Sequence, residues 1–135
     1  MKKIILSLVL ISVALVSAVG AEPSDTITVF MIGDSTMANK PTDSDKQERG
    51  WGQMLGDYLT GAIKVDNHAR NGESSLSFIN SGKWDKVVSL IKPGDYVIIQ
   101  FGHNDEKLKK QGRGTVPGES FDANLRKFVN ETREK

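Results

Sequence analysis

The chain has 135 residues, with 18 Lys and Arg against 17 Asp and Glu for a formal net charge of +1, and it contains no cysteine. Near-neutrality leaves no electrostatic footprint for nucleic acid. The lack of thiols excludes a disulfide framework, a thiolate nucleophile and a cysteine-ligated zinc.

Met1-Lys2-Lys3 is a short basic start, Ile4 to Val16 is apolar and uncharged, and Val19-Gly20-Ala21 places small residues before Glu22. That order predicts a secretory signal peptide over residues 1–21, cut after Ala21, and a secreted or periplasmic domain over 22–135. No stable membrane insertion is expected after cleavage. The last run, Glu131-Thr132-Arg133-Glu134-Lys135, continues a helical pattern without a stop signal, so 22–135 is expected to be the N-terminal portion of a larger domain.

Thr26 to Ile32 is β-branched and apolar throughout, which predicts a strand buried on both faces. It stops at Gly33-Asp34-Ser35, delivering a hydroxyl at the strand's C-terminal edge, where open α/β sheets bind ligands. Asn39 to Gly50 is polar and reads as a surface loop beside that serine. Trp51, Leu55, Tyr58 and Leu59 fall at helical spacing and predict one buried helix face, ended by Gly61. Ile63 to His68 reads as a second short strand, completing a βαβ unit.

Asn71-Gly72-Glu73-Ser74-Ser75 is a turn signal with Ser74 or Ser75 as a helix cap. Trp84, Val87, Val88 and Ile91 give a second helical stripe, which Pro93-Gly94 ends. Tyr96 to Phe101 is the clearest buried strand, and it runs into Gly102-His103-Asn104-Asp105. Lys107 to Gly118 is expected to be a loop. Phe121, Leu125, Phe128 and Val129 share one face of a last helix, with Ser120 as its expected cap. In the order 2-1-3 the third strand would be an edge, with Val97, Ile98 and Ile99 partly uncovered.

Parallel strands end on one edge, so Ser35, Gly72 and Asn104 are expected to converge there. A serine hydroxyl, a closely approachable backbone N–H and an amide side chain suit a nucleophile and an oxyanion site. Gly33-Asp34-Ser35, Gly72 within Asn67-His68-Ala69-Arg70-Asn71-Gly72, and Gly102-His103-Asn104-Asp105 resemble the first three sequence blocks of the SGNH or GDSL hydrolases. Arg49-Gly50-Trp51-Gly52 and Gln100-Phe101-Gly102-His103-Asn104-Asp105 resemble the rhamnogalacturonan acetylesterase branch in particular.

The resemblance implies a three-layer α/β/α, flavodoxin-like parallel sheet, truncated after the third strand and the helix that follows it. It implies a serine esterase that deacetylates carbohydrate, with Ser35 as nucleophile and the N–H groups of Ser35 and Gly72 and the amide of Asn104 as oxyanion hole. The family's late Asp-x-x-His block has no counterpart among these residues, so the chain alone is expected to be inactive. The two histidines, His68 and His103, are expected to have structural hydrogen-bonding roles.

Glu73 and Leu76 stand where pectin-active relatives often carry basic side chains, and a carboxylate at 73 is expected to repel galacturonate. Asp34 is expected to shape its turn and Asp105 to brace its loop. No cofactor and no metal site is expected. The competing readings are a non-catalytic carbohydrate-binding module and a lipase or thioesterase of the same superfamily. Against the latter, the loops hold no long apolar stretch, while Trp51 and Trp84 suit either a core or a sugar.

Overall fold

The computed structural model describes residues 26–43, 45–107 and 111–135. The expected signal peptide over 1–21 lies outside them. Among the described residues, three strands form one parallel sheet in the order β2-β1-β3. They are β1 (Ile27–Gly33), β2 (Ile63–Asn67) and β3 (Tyr96–Gln100). The helices are α1 (Trp51–Met54), which runs into a 3₁₀ turn over Leu55–Tyr58, then α2 (Ser75–Asn80), α3 (Lys83–Val88) and α4 (Ser120–Arg133). No described helix is long and apolar enough to cross a membrane.

The central strand explains the layering. Its alternating side chains serve two cores, as period-2 geometry requires. Phe30 and Ile32 pack on one face with Phe78, Trp84, Val87, Ile91 and Phe128, from the α2, α3 and α4 side of the sheet. Met31 packs on the other with Met37, Ala38 and Ala69, and Leu55 of the 3₁₀ turn rests there. The arrangement is a partial α/β/α flavodoxin-like fold. β3 is an edge of this sheet, and Val97, Ile98 and Ile99 are each only half-buried.

Asp95 fixes the entry to β3. Its Oδ1 accepts from the Thr28 N–H at 2.8 Å and its Oδ2 from the Lys92 N–H at 2.9 Å, tying the turn to the neighbouring strand.

Three local expectations are corrected. The helix beginning at Trp51 holds a single α turn before narrowing to 3₁₀, and its expected buried face is split: Leu55 packs on the core, while Trp51 is 42% and Tyr58 80% exposed. Contact is made instead by the glycines on either side of Trp51. A Cβ on Gly50 would lie 2.0 Å from the Ala38 carbonyl oxygen, and one on Gly52 would lie 2.8 Å from that of Met37. Backbone therefore packs directly on backbone, and the intervening tryptophan faces away.

The stretch before Pro93 divides into two short helices, because Gly82 adopts a left-handed φ of 70° between them and interrupts the α pattern. Ile91 is buried, although the helix has already ended at Val88. Ser120 is the first residue of α4 rather than its cap. Glu119 occupies the cap position, and the Ser120 hydroxyl accepts from the Val116 N–H at 2.9 Å, bracing the preceding loop. Trp84 is wholly buried, with its ring edge-on to Phe128 and its indole N–H donating to Glu131, so it is a core residue with no face open to a sugar.

Candidate active site

The loops after the three strands meet at the C-terminal edge of the sheet. Backbone bonds set them there: the Arg70 N–H donates to the Gly33 carbonyl at 3.0 Å and the His68 N–H to that of Met31 at 2.8 Å, carrying the second loop alongside the first. Gly33 pairs in register with Gln100, which brings the third loop to the other side.

Ser35 is half-buried in the turn that follows β1. The turn is shaped by its neighbour, as expected: Asp34 is fully buried, and its Oδ1 accepts from the N–H and the hydroxyl of Thr36, each at 2.9 Å. Its Oδ2 is buried and receives no hydrogen bond from any described residue. Thr36 also lies 2.7 Å from the side-chain oxygen position of Gln100. One hydroxyl proton cannot serve two acceptors, so this contact is best made with the Gln100 amide turned to donate from nitrogen. On the other flank the Trp51 N–H donates to the Thr36 carbonyl at 3.0 Å, docking α1 on the serine's turn.

Gly72 adopts φ +79°, a left-handed conformation that suits glycine and lets the turn present its backbone. Ser74 caps α2 in a reciprocal box, its Oγ accepting from the Ser77 N–H at 3.1 Å while the Ser77 Oγ accepts from the Ser74 N–H at 2.9 Å. The expectation of a serine cap is met at Ser74.

Asn104 is buried, and its Nδ2 donates to the Glu73 carbonyl oxygen at 2.9 Å. A primary amide has two donors, so one N–H remains for another acceptor. Asp105 braces its loop as expected. Both carboxylate oxygens lie 3.1 Å from the Ser75 N–H, Oδ1 accepts from the Ser75 hydroxyl at 2.5 Å, and Thr115 adds a bond at 3.2 Å. The second and third loops are thus joined by two adjacent residues. Ser35, Gly72 and Asn104 lie on one sheet edge, the last two on loops hydrogen-bonded to each other.

Neither histidine is placed as a base by its contacts. His103 is exposed and makes no hydrogen bond or ion pair with another described residue, which corrects the expectation of a structural bond. The Nε2 of His68 lies 3.1 Å from Asp66 Oδ1 without hydrogen-bond geometry, so the pair is an ionic contact only when the ring is protonated. His68 also packs against Phe30, with ring centroids 6.1 Å apart.

A polar cleft of about 490 Å³ opens beside the site, lined by segments 38–39 and 69–71 together with Asn67, Glu73 and Lys83. Glu73 is not a bare charge there. Lys83 lies 2.9 Å from its Oε1, and the Ser77 hydroxyl donates to its Oε2 at 2.5 Å. Burial pushes the Glu73 carboxyl up, but hydrogen bonds from Lys83 and Ser77, with the charges of Lys83 and Arg113, hold it below its ordinary range. The expected repulsion of an acidic sugar is therefore largely compensated within the protein. Among the described residues, no group of three or more His, Asp or Glu is disposed to hold a metal ion.

Two parts of the site were missed from sequence. The acceptor for Asn104 is a backbone carbonyl, which no residue type announces. The other is Arg113, which belongs to the basic, glycine-rich loop after β3 and whose Nη1 would be 3.6 Å from a Cβ placed on Gly72. Its one available signal was an arginine flanked by Gly112 and Gly114 in that loop.

Residues 31–135 match the GDSL-like Lipase/Acylhydrolase family. The chain is 40% identical over 109 residues to rhamnogalacturonan acetylesterase RhgT of Bacillus subtilis, covering 81% of this chain and 45% of that protein. It is 33% identical over 94 residues to the rhamnogalacturonan acetylesterase of Emericella nidulans, covering 68% of this chain and 35% of that one. Among solved structures, protein YxiM of Bacillus subtilis superposes with a TM-score of 0.71 at 34% identity, over 84% of this chain and 31% of that chain. The chain spans about half, or less, of the length of these relatives.

Proposed function

The chain belongs to the GDSL-like lipase/acylhydrolase family, and from that membership we propose that it carries the nucleophile and oxyanion half of a secreted serine esterase acting on acetylated carbohydrate. Relatives named as rhamnogalacturonan acetylesterases support the substrate class. The observation that carries the chemistry is the Asn104 amide anchored on the Glu73 carbonyl, next to Gly72 and across the edge from the Ser35 turn.

In this reading the Ser35 hydroxyl attacks the acetyl carbonyl. The Ser35 and Gly72 N–H groups and the free N–H of Asn104 receive the negative charge that develops on its oxygen, and the sugar oxygen leaves. Water then releases acetate from the acyl-enzyme. Donors fixed before the reaction need no reorganisation during it, which is why removing one typically costs ~10²–10³ in turnover. Serine also needs a base. Neither His103 nor His68 makes a hydrogen bond with Ser35, so residues 22–135 by themselves are assigned binding and charge stabilisation without an activated nucleophile.

The test is acetate release from acetylated rhamnogalacturonan by the native secreted protein. Ser35→Ala is expected to abolish it, and Asn104→Ala to leave a small fraction because two backbone donors remain. Undiminished release in Ser35→Ala would remove the serine-esterase reading. Purified 22–135 is expected to give no more than trace hydrolysis of 4-nitrophenyl acetate and no fluorophosphonate label on Ser35. Stoichiometric labelling of a monomer would make His103 the base.

A further inference from the structure

The polar cleft beside the site is lined by three asparagines, Asn39, Asn67 and Asn71, together with Ala38 and Ala69. It lies between the first two loops. Ala38 closes the serine's turn, its N–H donating to the Asp34 carbonyl at 3.0 Å, and Asn71 directly precedes Gly72. At about 490 Å³ the cleft has room for a sugar ring with its substituents.

Which end of each amide is free follows from its partners. Asn67 Nδ2 donates to the Met37 carbonyl at 2.9 Å, and Asn67 Oδ1 accepts from the Ala69 N–H at 3.0 Å, so two backbone groups fix this side chain. Its Nδ2 also lies 2.9 Å from Asn39, which must therefore present its oxygen. Lys40 Nζ can only donate and lies 2.8 Å from Asn71, so Asn71 presents its oxygen too. Asn39 and Asn71 thus have their oxygens held by the protein and their nitrogens left over, with no further hydrogen bond to a described residue. Both residues are exposed, so water serves these nitrogens until a ligand oxygen replaces it. The Glu73 carboxylate is occupied on both oxygens, by Lys83 at 2.9 Å and the Ser77 hydroxyl at 2.5 Å. The lining side chains therefore offer a ligand donors and no idle acceptor.

We propose that this cleft is a second acyl subsite. It takes an O-acetyl group of the glycan other than the one cleaved, with the Asn39 and Asn71 Nδ2 groups donating to its carbonyl oxygen and Ala38 and Ala69 lying against its methyl. The inference rests on the esterase reading for which ester is cleaved, but not on turnover. An ester carbonyl only accepts, and so matches a lining of donors, whereas a sugar hydroxyl brings a proton that no lining side chain stands ready to receive. A carboxylate also accepts, but the two amides are uncharged and Glu73 stands in the same wall. On this reading the chain favours glycans acetylated at more than one position.

The experiment follows the side-chain amide resonances of Asn39 and Asn71 in the Ser35→Ala full chain, so that hydrolysis plays no part. The probes are fully O-acetylated methyl galactopyranoside and its fully O-methylated counterpart, which keeps ether oxygens but has no carbonyl. Both amide groups should shift with the acetylated sugar, which is expected to bind about tenfold more tightly than the methylated one, the scale of one or two net hydrogen bonds. Asn39→Asp and Asn71→Asp each keep an oxygen for Asn67 or Lys40 and turn the free donor into an acceptor. Each should bring the two probes within about threefold while the backbone amide spectrum stays that of the folded parent.

The oxyanion site is itself a place for an ester carbonyl, so the substitutions are the deciding arm. A preference that survives both Asn→Asp changes belongs to the oxyanion donors and overturns the proposal, as does equal binding of the two probes or the absence of shifts at Asn39 and Asn71. Tighter binding of methyl galacturonoside than of the acetylated sugar, lost in Arg70→Gln, would assign the cleft to charge and overturn it as well. A Ser35-independent esterase would sink the proposed function while leaving these titrations unchanged.

Discussion

Gly50→Ala tests how α1 is held against the serine's turn. Gly50 has φ −78° and ψ 139°, which any residue adopts, so the substitution carries no backbone strain of its own. The cost is steric. The new methyl would lie 2.0 Å from the Ala38 carbonyl oxygen and 2.7 Å from the Met37 carbonyl, where ordinary contact begins at 3.4 Å. The atoms struck are backbone and cannot rotate away, so α1 must retreat by about 1.4 Å at the tightest contact, the regime in which overpacking costs ~1–3 kcal/mol.

A retreat of that size also stretches the Trp51 N–H to Thr36 carbonyl bond from 3.0 Å beyond hydrogen-bonding range, adding about 1 kcal/mol. The alanine restricts the unfolded chain and returns ~0.4–1 kcal/mol. The expected net loss is about 2–3 kcal/mol, a large share of the ~5–15 kcal/mol that holds a domain together. Gly56→Ala is the control, because its methyl would meet only Val65 Cγ2 at 3.9 Å, an ordinary contact. Urea unfolding of the two full-length variants should show a lowered midpoint for Gly50→Ala and an unchanged or raised one for Gly56→Ala. Equal midpoints would refute the backbone-on-backbone docking of α1.

Two further outcomes follow from named bonds. Glu73 is held below its ordinary range, so its charge stabilises the fold above the unfolded value of about 4.3 and ceases to do so as pH falls through the lower folded value. Urea midpoints should therefore favour wild type over Glu73→Gln at about pH 6 and draw together as pH falls through the lowered folded value, and a gap that widens on acidification contradicts the ion pair with Lys83. Asp105→Ala leaves the Ser75 N–H and hydroxyl without their acceptor in a buried site, which should cost about 2–4 kcal/mol in a thermal melt, whereas Asp105→Asn retains an acceptor and should cost less. Identical losses in the two would show that the negative charge, and not hydrogen bonding, is what the site requires.

What sequence could anticipate and what it could not divide along the range of the interactions. β1, β3 and the last helix were legible because an apolar run ending in glycine and a four-position stripe at helical spacing are local signals. That the loops carrying Ser35, Gly72 and Asn104 end on one edge was legible for a related reason, since strand ends in a parallel sheet must share an edge. The outward face of Trp51 was not legible, because periodicity assumes that side chains make the contact and here the flanking glycine backbones do. The division of the second helical segment was hidden in Gly82, whose left-handed φ is one of several conformations glycine allows. Arg113 depended on a loop closing back through Thr115 onto Asp105, a tertiary event with no periodic trace.

The hydrogen bonds also assign different degrees of independence to the parts of the site. Asn104 and Asp105 are consecutive, and both are bound to the segment 73–75: one side chain donates to the Glu73 carbonyl and the other accepts from Ser75. Glu73 itself is fixed from the far side by Lys83 and Ser77, so Gly72 leads into a segment with very little freedom. The Ser35 turn is anchored separately, by Asp34 within the turn and by α1 from the opposite face of the sheet. Its hydroxyl contact with Gln100 through Thr36 links the two halves on the β3 side. On the proposed roles, the oxyanion donors of Gly72 and Asn104 belong to one hydrogen-bonded segment, and the nucleophile is displaced relative to them by moving α1 or the turn beneath it. Substitutions that loosen the 73–75 segment should weaken charge stabilisation at both donors together, while those at the α1 contact should misplace the serine and leave the donors intact.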